Sequence, residues 1–507
     1  MAHLRILFTT DMHGYFLPTD YVNPGERQLG LAKLMAAFPQ GEDTLVIDGG
    51  DTLQGSPFTD YVSRQPMKDS PCAKAMNLGG YDYITLGNHD FNQGMEALAR
   101  YLRALDARCL CCNIRDRAGA LPILPYVIHT MPNGLRVGLT GACTHHVLRW
   151  ERREMLEQLE IEPPVPALGR ALAQMRGKCD VTVCIYHGGF ECDLQTGERL
   201  TDSDENQACE IAEKLGFDIL LTGHQHMAVE GVRLGATYAV QAAYRAPHFI
   251  QLDAEVTPQG VQVSSRLMPP AAEADARVTA LLSGYEAQVQ RWLDTPIGRL
   301  DRSLPPGGHL EMAVNGCAIA NFVNQVQLRV SGADLSTTAL ANDYPGIGQE
   351  VTVRGIVSAY IYSNTLVVLR MTGAVLKRYA ERCAEYFTLD EGGQLAISDR
   401  FLRPKQEHYN YDYFSGMEYA IDPRRALGDR VTRMSRGGRP IAPKDVLTVC
   451  VSSYRASGTG GYDMLCGLEV VQDIQRDVAE LLIEYVEQQK LVCVDAHRYL
   501  TVEGSAQ

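Results

Sequence analysis

A chain of 507 residues is too long for one hydrophobic core, and its length predicts two domains of roughly 200–270 residues each. Hydrophobic residues make up 45% of the chain and charged residues 21%, as is typical of a globular protein. The net charge of −14 argues against binding to nucleic-acid polymers or to anionic membranes. A small anionic substrate would therefore need a local cationic site, such as bound metal ions.

The N-terminus, MAHLRILFTTDMHG, has one Arg and a very short apolar run, and candidate site residues follow at once. This pattern leaves no room for a signal peptide and predicts a cytoplasmic protein. A periplasmic or extracellular location is the alternative if a leader segment precedes this sequence. The 14 cysteines are scattered, so we expect reduced thiols rather than a disulfide framework. No run of about 18 apolar residues predicts a membrane span.

The first half of the chain repeats one pattern, in which a short apolar run ends in a polar, Gly-rich cluster and a helical stretch follows. The apolar runs, in order, are LRILFTT, TLVI, YDYITL, RVGLTGA, VTVCIY and DILL. Runs of this length bounded by Gly predict buried strands. The stretches RQLGLAKLMAAF and GMEALARYLRAL have helical periodicity. Strands that alternate with helices predict a layered α/β domain over residues 1–268.

The second half begins with a Pro-bounded, charged and helix-favouring segment, which we interpret as a linker helix over residues 269–295. Beyond it, strand-like runs such as QEVTVRGIVSAYIYSNTLVVLRMTG and VLTVCVSSY are mixed with helical stretches. This mixture predicts a second domain, of α+β class, over residues 296–507.

Polar side chains that can bind metals follow the predicted strands of the first domain. Ligands of open α/β sheets bind at the carboxyl ends of strands. Any one of these residues could be an ordinary loop residue, but together they predict a shared metal site. The residues are Asp11, His13, Asp51, Asn88, His89, His187, His224 and His226.

Carboxylate, imidazole and amide ligands without Cys favour divalent ions such as Zn, Mn, Fe or Co. Two ions about 3.5–4 Å apart need a bridging carboxylate, and Asp51 after two glycines suits this role. Such a pair lowers the pKa of a shared water and neutralises the oxygens of a phosphate. The pattern therefore favours hydrolysis of a phosphoester with two metal ions as cofactors.

The ordered blocks DMHG, GGD, GNHD, HGG and GHQH resemble the calcineurin-like metallophosphoesterase pattern, and the second half resembles the 5′-nucleotidase C-terminal domain. This resemblance implies a four-layer α/β/β/α metal domain, a linker helix and a C-terminal domain that holds a nucleoside. It also implies a set of ligands for each metal. The first metal would take Asp11, His13, Asp51 and His226, and the second Asp51, Asn88, His187 and His224. By the same match, His89 is the catalytic histidine.

Two departures from the 5′-nucleotidase pattern point to one branch of the family. The usual Asp partner of the catalytic histidine is replaced by Asn92 in GNHDFNQG. The region DLSTTALANDYPGIGQE has no Arg where 5′-nucleotidases usually carry a Gly-Gly-Gly-Ile-Arg block, and Asn342 is a candidate polar replacement. Asn92, DTLQGSPFTDYV and SYRASGTGGYD resemble the 2′,3′-cyclic-nucleotide 2′-phosphodiesterase/3′-nucleotidase branch.

A nucleobase has two flat faces, so two aromatic rings can sandwich it. Alignment of the blocks HYNYDYFSG and SSYRASGTGG with the family implies that Tyr411 and Tyr454 form this stacking pair. Tyr409 and Tyr413 compete with Tyr411 for the role, because all three would share one face of a strand. Ordinary packing of strand tyrosines is the alternative.

We therefore expect a hydrolase that converts 2′,3′-cyclic nucleotides to 3′-nucleotides and then to nucleoside and phosphate. The main alternative is a 5′-nucleotidase or UDP-sugar hydrolase, which would use the same metals. A non-catalytic nucleotide-binding protein should have lost metal ligands, and none is missing here. A sulfur-ester hydrolase on the same scaffold is less compatible with the tyrosine pair. The expected partner is a small nucleotide substrate, with no nucleic-acid polymer and no membrane, and the oligomeric state is left open.

Overall fold

The computed structural model describes residues 2–23, 25–151, 156–200, 204–362, 364–403 and 406–503. The chain divides into two compact units, Met1–Arg291 and Trp292–Gln507. The division falls within helix Ala276–Asp294, which lies inside the segment predicted as a linker helix.

The strands of unit 1 follow in chain order: β1 (Ala2–Thr9), β2 (Thr44–Asp48), β3 (Tyr83–Ile84), β4 (Arg108–Leu110), β5 (Ile114–Asp116), β6 (Ile123–Leu124), β7 (Tyr126–Thr130), β8 (Arg136–Cys143), β9 (Leu159–Ile161), β10 (Val181–His187), β11 (Ile219–Thr222), β12 (Val229–Leu234), β13 (Thr237–Gln241), β14 (Phe249–Thr257) and β15 (Gly260–Met268). The helices are α1 (Leu31–Ala37), α2 (Pro57–Ser63), α3 (Pro71–Leu78), α4 (Met95–Ala104), α5 (Val147–Trp150), α6 (Pro164–Met175), α7 (Ala208–Leu215) and α8 (Ala276–Asp294).

Unit 1 contains two large sheets that pack face to face. Their strand orders are β15-β14-β1-β2-β3-β4-β6 and β12-β13-β11-β10-β8-β7. One core cluster joins both sheets, with Ile6 and Ile47 from the first and Val183 and Ile185 from the second. A second cluster packs Leu168 of α6 and other helical residues on the outer face of the second sheet. This arrangement confirms the predicted layered α/β fold.

The parallel register brings the carboxyl ends of the central strands to one edge. Thr9 of β1 pairs with Asp48 of β2, and Asp48 pairs with Ile84 of β3. In the other sheet, β10 pairs in parallel with β8 and with β11. The polar clusters that follow these strands therefore begin at the same edge of each sheet, as expected for a ligand site in an α/β sheet.

The strands of unit 2 are β16 (Pro296–Leu300), β17 (Leu335–Ala339), β18 (Glu350–Thr352), β19 (Leu366–Thr372), β20 (Phe387–Leu389), β21 (Leu395–Ile397), β22 (Asp412–Ser415), β23 (Glu418–Ile421), β24 (Val431–Arg436), β25 (Arg439–Pro440), β26 (Val446–Ser452), β27 (Glu469–Ile474), β28 (Leu491–Val492) and β29 (Leu500–Val502). Its helices are α9 (His309–Asn315), α10 (Ala318–Ser331), α11 (Val353–Ala359), α12 (Gly373–Ala384), α13 (Ser453–Ala456) and α14 (Val478–Gln489). The largest sheet has the order β22-β17-β26-β19-β27, and the mixture of helices and sheets confirms the α+β class.

One expectation about the cysteines is wrong. Cys192 and Cys209 form a disulfide, with their Cα atoms 6.3 Å apart, so these two thiols are not reduced. Cys192 lies in the segment between β10 and α7, and Cys209 lies in α7, so only the tertiary fold brings them together. The other cysteines are free thiols, and most of them are buried. No helix in the described part of the chain is long and apolar enough to cross a membrane.

Candidate metal centre

The predicted metal ligands form two adjacent groups at the carboxyl edge of the sheets. Asp11, His13 and His226 form one group, and Asp51, His187 and His224 form the other. Within each group the potential ligand atoms lie within 4.8 Å of one another. Each group contains three of the four ligands that the family resemblance implies for one metal; Asp51 is not part of the first group, and Asn88 is not part of the second.

Asp51 belongs to the second group and also faces the first. Its Oδ2 atom is 3.1 Å from Nε2 of His187 and 4.0 Å from Nε2 of His13. Its other oxygen, Oδ1, accepts a hydrogen bond from the backbone N–H of His89 at 2.7 Å. One oxygen is therefore held by the protein while the other is directed towards both histidines, which suits a carboxylate that bridges two ions.

Hydrogen bonds to Nδ1, the ring nitrogen that does not face the candidate metal site, orient two of the candidate histidines. Nδ1 of His13 lies 2.9 Å from the carbonyl oxygen of Gln54, and Nδ1 of His187 lies 2.7 Å from that of Gly49. A carbonyl oxygen only accepts, so each Nδ1 carries a hydrogen, and Nε2 is the nitrogen that bears the lone pair when the ring is neutral. A metal ligand needs this lone pair, and a partner on the second nitrogen is typical of metal-binding histidines.

Five of the seven candidate ligands have a left-handed backbone, which non-glycine residues rarely adopt. The φ angles are 51° at Asp11, 47° at His13, 57° at Asp51, 75° at His224 and 58° at His226. Each such residue costs of the order of 1–3 kcal/mol, and such residues cluster at functional sites. This strain is a structural reason to regard the loops as a built site rather than as ordinary turns.

The electrostatics of the centre also favour cations. Oδ2 of Asp51 and Nε2 of His187 are buried, and neither makes a hydrogen bond of regular geometry with any described residue. Burial alone would raise the pKa of Asp51, but the charges of His187 and His89 hold that pKa well below its usual range. Burial lowers the pKa of His13, and burial and repulsion from His13 lower that of His226. His187 behaves differently, because burial alone would lower its pKa but the charge of Asp51 raises that pKa to about 10, so without metal the ring is held protonated against this carboxylate. A divalent ion binds neutral imidazoles beside an ionised carboxylate, so metal binding would release the proton of His187.

Asp90 joins two of the metal loops, a role that sequence reasoning missed. Its carboxylate accepts hydrogen bonds from the backbone N–H groups of Asp51, Thr52, Leu53 and Gly87 at 2.8–3.1 Å. Gly87 is required at this contact, because a Cβ there would lie 2.1 Å from Oδ1 of Asp51. The four donors explain how a carboxylate is accommodated at a position that is 2% exposed.

His89 and Asn92 are in direct contact. Nδ1 of His89 lies 2.8 Å from Oδ1 of Asn92, within the short 3₁₀ helix Asn88–Phe91 and the residue that follows it. Nδ2 of Asn92 donates to Oε1 of Glu151 at 3.1 Å. The sequence interpretation of Asn92 as a residue beside His89 agrees with this contact, whereas Glu151 was not considered.

Glu205 is a second acidic residue that sequence reasoning missed. Its Oε1 lies 2.9 Å from Nε2 of His224, and Nδ1 of the same ring lies 2.8 Å from Oδ1 of Asn88. The only sequence signal is a short acidic stretch, DSDEN, which is usually a solvated surface segment. The contact arises because a loop between β10 and α7 returns to the metal centre.

Unit 2 contains an aromatic cavity of about 260 Å³ near the predicted stacking residues. Tyr454 lines it and is 36% exposed. Arg455 also lines the cavity, but its guanidinium is bound through Nε and Nη2 to the buried carboxylate of Asp412 at 2.7 and 2.8 Å. The residues that line the cavity are Thr338, Ala339, Tyr360, Tyr362, Asn364, Tyr409, Ser452, Tyr454 and Arg455.

The predicted role of Tyr411 does not agree with its position. Tyr411 is 2% exposed, and its ring stacks on Tyr386 with the centroids 4.5 Å apart. Tyr409 lines the cavity instead, because residues His408–Asn410 form a 3₁₀ turn that breaks the expected strand alternation. Tyr411 is therefore a core residue, and Tyr409 takes its place as the candidate partner of Tyr454.

The predicted substrate contact of Asn342 is also not supported. Its Nδ2 donates to the carbonyl oxygen of Gln406 at 2.8 Å, and its Oδ1 accepts from the backbone N–H of His408 at 3.0 Å. Both polar atoms of the amide therefore hold the segment that leads to Tyr409. Asn342 has a structural role in this arrangement rather than an evident ligand contact.

Comparison with known proteins agrees with this fold. Residues 4–228 match the calcineurin-like phosphoesterase family, and residues 296–467 match the 5′-nucleotidase C-terminal domain. The fold and the paired ligand groups thus define a calcineurin-like metallophosphoesterase, a class that uses divalent metals. The chain belongs to the 5′-nucleotidase family of these phosphoester hydrolases.

Three relatives illustrate the similarity. A Staphylococcus aureus protein named as a candidate 5′-nucleotidase and solved with alpha-ketoglutarate is 31% identical, with a TM-score of 0.75 over 99% of this chain and 100% of that one. A 2′,3′-cyclic-nucleotide 2′-phosphodiesterase/3′-nucleotidase of Haemophilus influenzae is 24% identical over 90% of this chain and 80% of its own length. The trifunctional nucleotide phosphoesterase YfkN of Bacillus subtilis is 24% identical over 97% of this chain, which spans only 38% of that protein.

Proposed function

We propose that this protein hydrolyses 2′,3′-cyclic nucleotides to 3′-nucleotides and then releases the nucleoside and phosphate. The observation that carries the proposal is the pair of adjacent ligand groups, in which Asp51 of one group lies 4.0 Å from His13 of the other and His89 lies beside them. This site suits phosphoester hydrolysis, and the cyclic substrate is inferred from Asn92 and from the names of relatives in the same family.

The proposed ligands of the first ion are Asp11, His13, Asp51 and His226, and those of the second are Asp51, Asn88, His187 and His224. Two divalent ions held there would polarise the phosphoryl oxygens and lower the pKa of water. They would also supply the positive charge that a protein with a net charge of −14 otherwise lacks at this site. Zn, Mn, Fe and Co all suit this set of ligands.

His89 is the proposed catalytic histidine. With Nδ1 of His89 directed at Asn92, Nε2 is the ring nitrogen that can meet the substrate. A histidine in this position can stabilise the charge on phosphorus substituents and deliver a proton to the departing ribose oxygen, the 2′-oxygen in the first reaction. General acid catalysis of this kind contributes typically about 10²–10⁴-fold to the rate.

The cavity of unit 2 is the proposed site for the base. Tyr409 and Tyr454 offer aromatic faces, and Asn364 offers an amide that can hydrogen-bond to a polar ring edge. A volume of about 260 Å³ is near the lower end of small-molecule sites, so it suits a base better than a whole nucleotide. Stacking accepts any base, so we expect weak discrimination among adenine, guanine, cytosine and uracil.

A 5′-nucleotidase activity is the second candidate, because the Staphylococcus aureus relative of 31% identity is named as a candidate 5′-nucleotidase. A substrate panel separates the candidates. The protein, loaded with Mn or Zn, is assayed side by side with 2′,3′-cAMP, 3′-AMP, 5′-AMP and a UDP-sugar. We expect the highest kcat/KM with 2′,3′-cAMP and transient accumulation of 3′-AMP. Preference for 5′-AMP would reject the cyclic-nucleotide assignment, and inactivity on the whole panel would favour a non-catalytic binding role.

A further inference from the structure

Asn92 connects His89 to a carboxylate that is distant in the sequence. The amide oxygen of Asn92 lies 2.8 Å from Nδ1 of His89, and its nitrogen donates to Oε1 of Glu151 at 3.1 Å. Glu151 is 59 residues further along the chain and directly follows α5 (Val147–Trp150). The contact therefore depends on the tertiary fold.

The contact with Glu151 determines which way round the Asn92 amide lies. A carboxylate has no hydrogen to donate, so it accepts only from the N–H₂ side of an amide. With that side directed at Glu151, the carbonyl oxygen of Asn92 must face His89. A flipped amide would place two acceptors, the amide oxygen and the carboxylate, against each other.

The orientation of the amide in turn determines the state of the imidazole. An amide oxygen only accepts, so Nδ1 of His89 must carry a hydrogen. This geometry is compatible with both the neutral and the protonated ring, and in both cases any proton exchange takes place at Nε2. A flipped amide would present N–H to Nδ1, and Nδ1 would then have to be an unprotonated acceptor.

We propose that Glu151 is a positioning residue, which holds the Asn92 amide so that His89 always presents Nε2 to the reaction. The proposal rests on the function assigned to His89 above. In this arrangement Asn92 together with Glu151 does what a single carboxylate at position 92 would do alone. A carboxylate there would accept from Nδ1 in either orientation and would need no partner to orient it.

This comparison supplies the test, a double-mutant cycle of Glu151→Gln and Asn92→Asp. The side chain introduced by Glu151→Gln can both accept and donate, so the Asn92 amide could flip, and we expect kcat for 2′,3′-cAMP to fall about tenfold with KM changed less than about twofold. In the Asn92→Asp background, Glu151→Gln should not lower kcat, because the carboxylate then present at position 92 is not an amide and needs no orientation. Glu157→Gln, at an exposed glutamate six positions along, is the matched control.

Equal losses of kcat in both backgrounds, or no loss in either, would overturn the proposal. Metal content by mass spectrometry and the melting temperature are measured for each variant, since a change in either would indicate a purely structural role. If Asn92→Asp does not fold, a comparison of two substrates replaces the mutant cycle. The second substrate is bis(p-nitrophenyl) phosphate, whose leaving group needs no proton. Glu151→Gln should then impair 2′,3′-cAMP hydrolysis more than hydrolysis of the nitrophenyl ester, and equal impairment would reject the proposal.

The outcome is separable from the substrate assignment. If the wild-type protein prefers 5′-AMP, the cyclic-nucleotide function fails, but the same cycle run on 5′-AMP still measures the coupling between residues 92 and 151. Coupling between residues 92 and 151 measured on 5′-AMP would support the positioning role but not the cyclic-nucleotide function. Preference for 2′,3′-cAMP without this coupling would support the cyclic-nucleotide function but not the positioning role.

Discussion

Oε1 of Glu205 lies 2.9 Å from Nε2 of His224, and on the other side of the same ring Nδ1 lies 2.8 Å from Oδ1 of Asn88. His224 is thus held by a carboxylate while its second nitrogen faces another proposed metal ligand. Partners of this kind orient metal-binding histidines and raise their basicity, and removing one typically weakens metal affinity about 10–100-fold.

We therefore expect Glu205→Gln to weaken binding of one of the two proposed metal ions about 10–100-fold and to leave the other nearly unchanged. Isothermal titration calorimetry with the metal ion measures both affinities, and the metal content after dialysis is determined separately. Glu198→Gln is the matched control, because Glu198 is an exposed residue of the same loop. Unchanged affinity for both ions in Glu205→Gln would show that His224 needs no carboxylate partner.

The disulfide Cys192–Cys209 closes the segment that carries Glu205. Its sequence separation of 17 predicts a stabilisation of about 3 kcal/mol from the restricted unfolded chain. We expect Cys192→Ser to lower the free energy of unfolding of unit 1 by about 2–4 kcal/mol in urea titrations. A reductant should have a similar effect on the wild type and none on the variant. Cys466→Ser, at an exposed free thiol, is the control.

The tyrosines of unit 2 should separate into ligand contacts and core residues. We expect Tyr454→Ala and Tyr409→Ala to raise KM for 2′,3′-cAMP about 5–150-fold, because stacking on a base is worth about 1–3 kcal/mol. Hydrolysis of bis(p-nitrophenyl) phosphate, which has no base, should be little affected. Similar losses on both substrates would indicate a general structural defect rather than a base contact.

Tyr411→Ala should behave differently from those two variants. Its ring is buried and packs on Tyr386 and Phe387, so its loss leaves a cavity in the core. Truncation of a buried aromatic costs about 3–5 kcal/mol, which we expect to appear as a lower free energy of unfolding in urea. If Tyr411→Ala kept its stability and raised KM instead, the original prediction of a stacking role would be restored.

The stability of unit 2 should depend on pH through His408. Burial, and then repulsion from His309, lower the pKa of His408 to about 4, and the two rings stack with centroids 3.9 Å apart. An unfolded histidine has a pKa of about 6.5, so between about pH 6.5 and about pH 4 the unfolded state binds the proton more readily. This residue therefore contributes stability above that window and loses it as the pH falls.

The variant His408→Asn should remove this contribution. We expect the free energy of unfolding of the wild type to fall more steeply than that of the variant between about pH 6.5 and about pH 4, with parallel slopes outside the window. Urea titrations at a series of pH values measure both slopes. Parallel slopes inside the window would mean that His408 titrates alike in the folded and unfolded chain.

The sequence by itself was sufficient to predict the layered α/β unit and the α+β unit and to select the candidate metal ligands. These features depend on local signals, namely apolar runs of strand length and polar residues directly after them. The same signals predicted a bridging position for Asp51, because it is the acidic residue that follows the paired glycines. The left-handed backbone at Asp11 and His13, by contrast, leaves no sign in the residue types.

Only the tertiary structure decided which residues support those ligands. Glu205 reaches His224, and Glu151 reaches Asn92, through contacts between segments that are 19 and 59 residues apart. Tyr409 replaced Tyr411 because a 3₁₀ turn shifted the side chains away from strict alternation. The periodicity of apolar residues along the chain predicts which face of a helix or strand a side chain occupies. Which distant carboxylate or ring meets it depends on how loops return in three dimensions, and that follows from the packing of the whole unit.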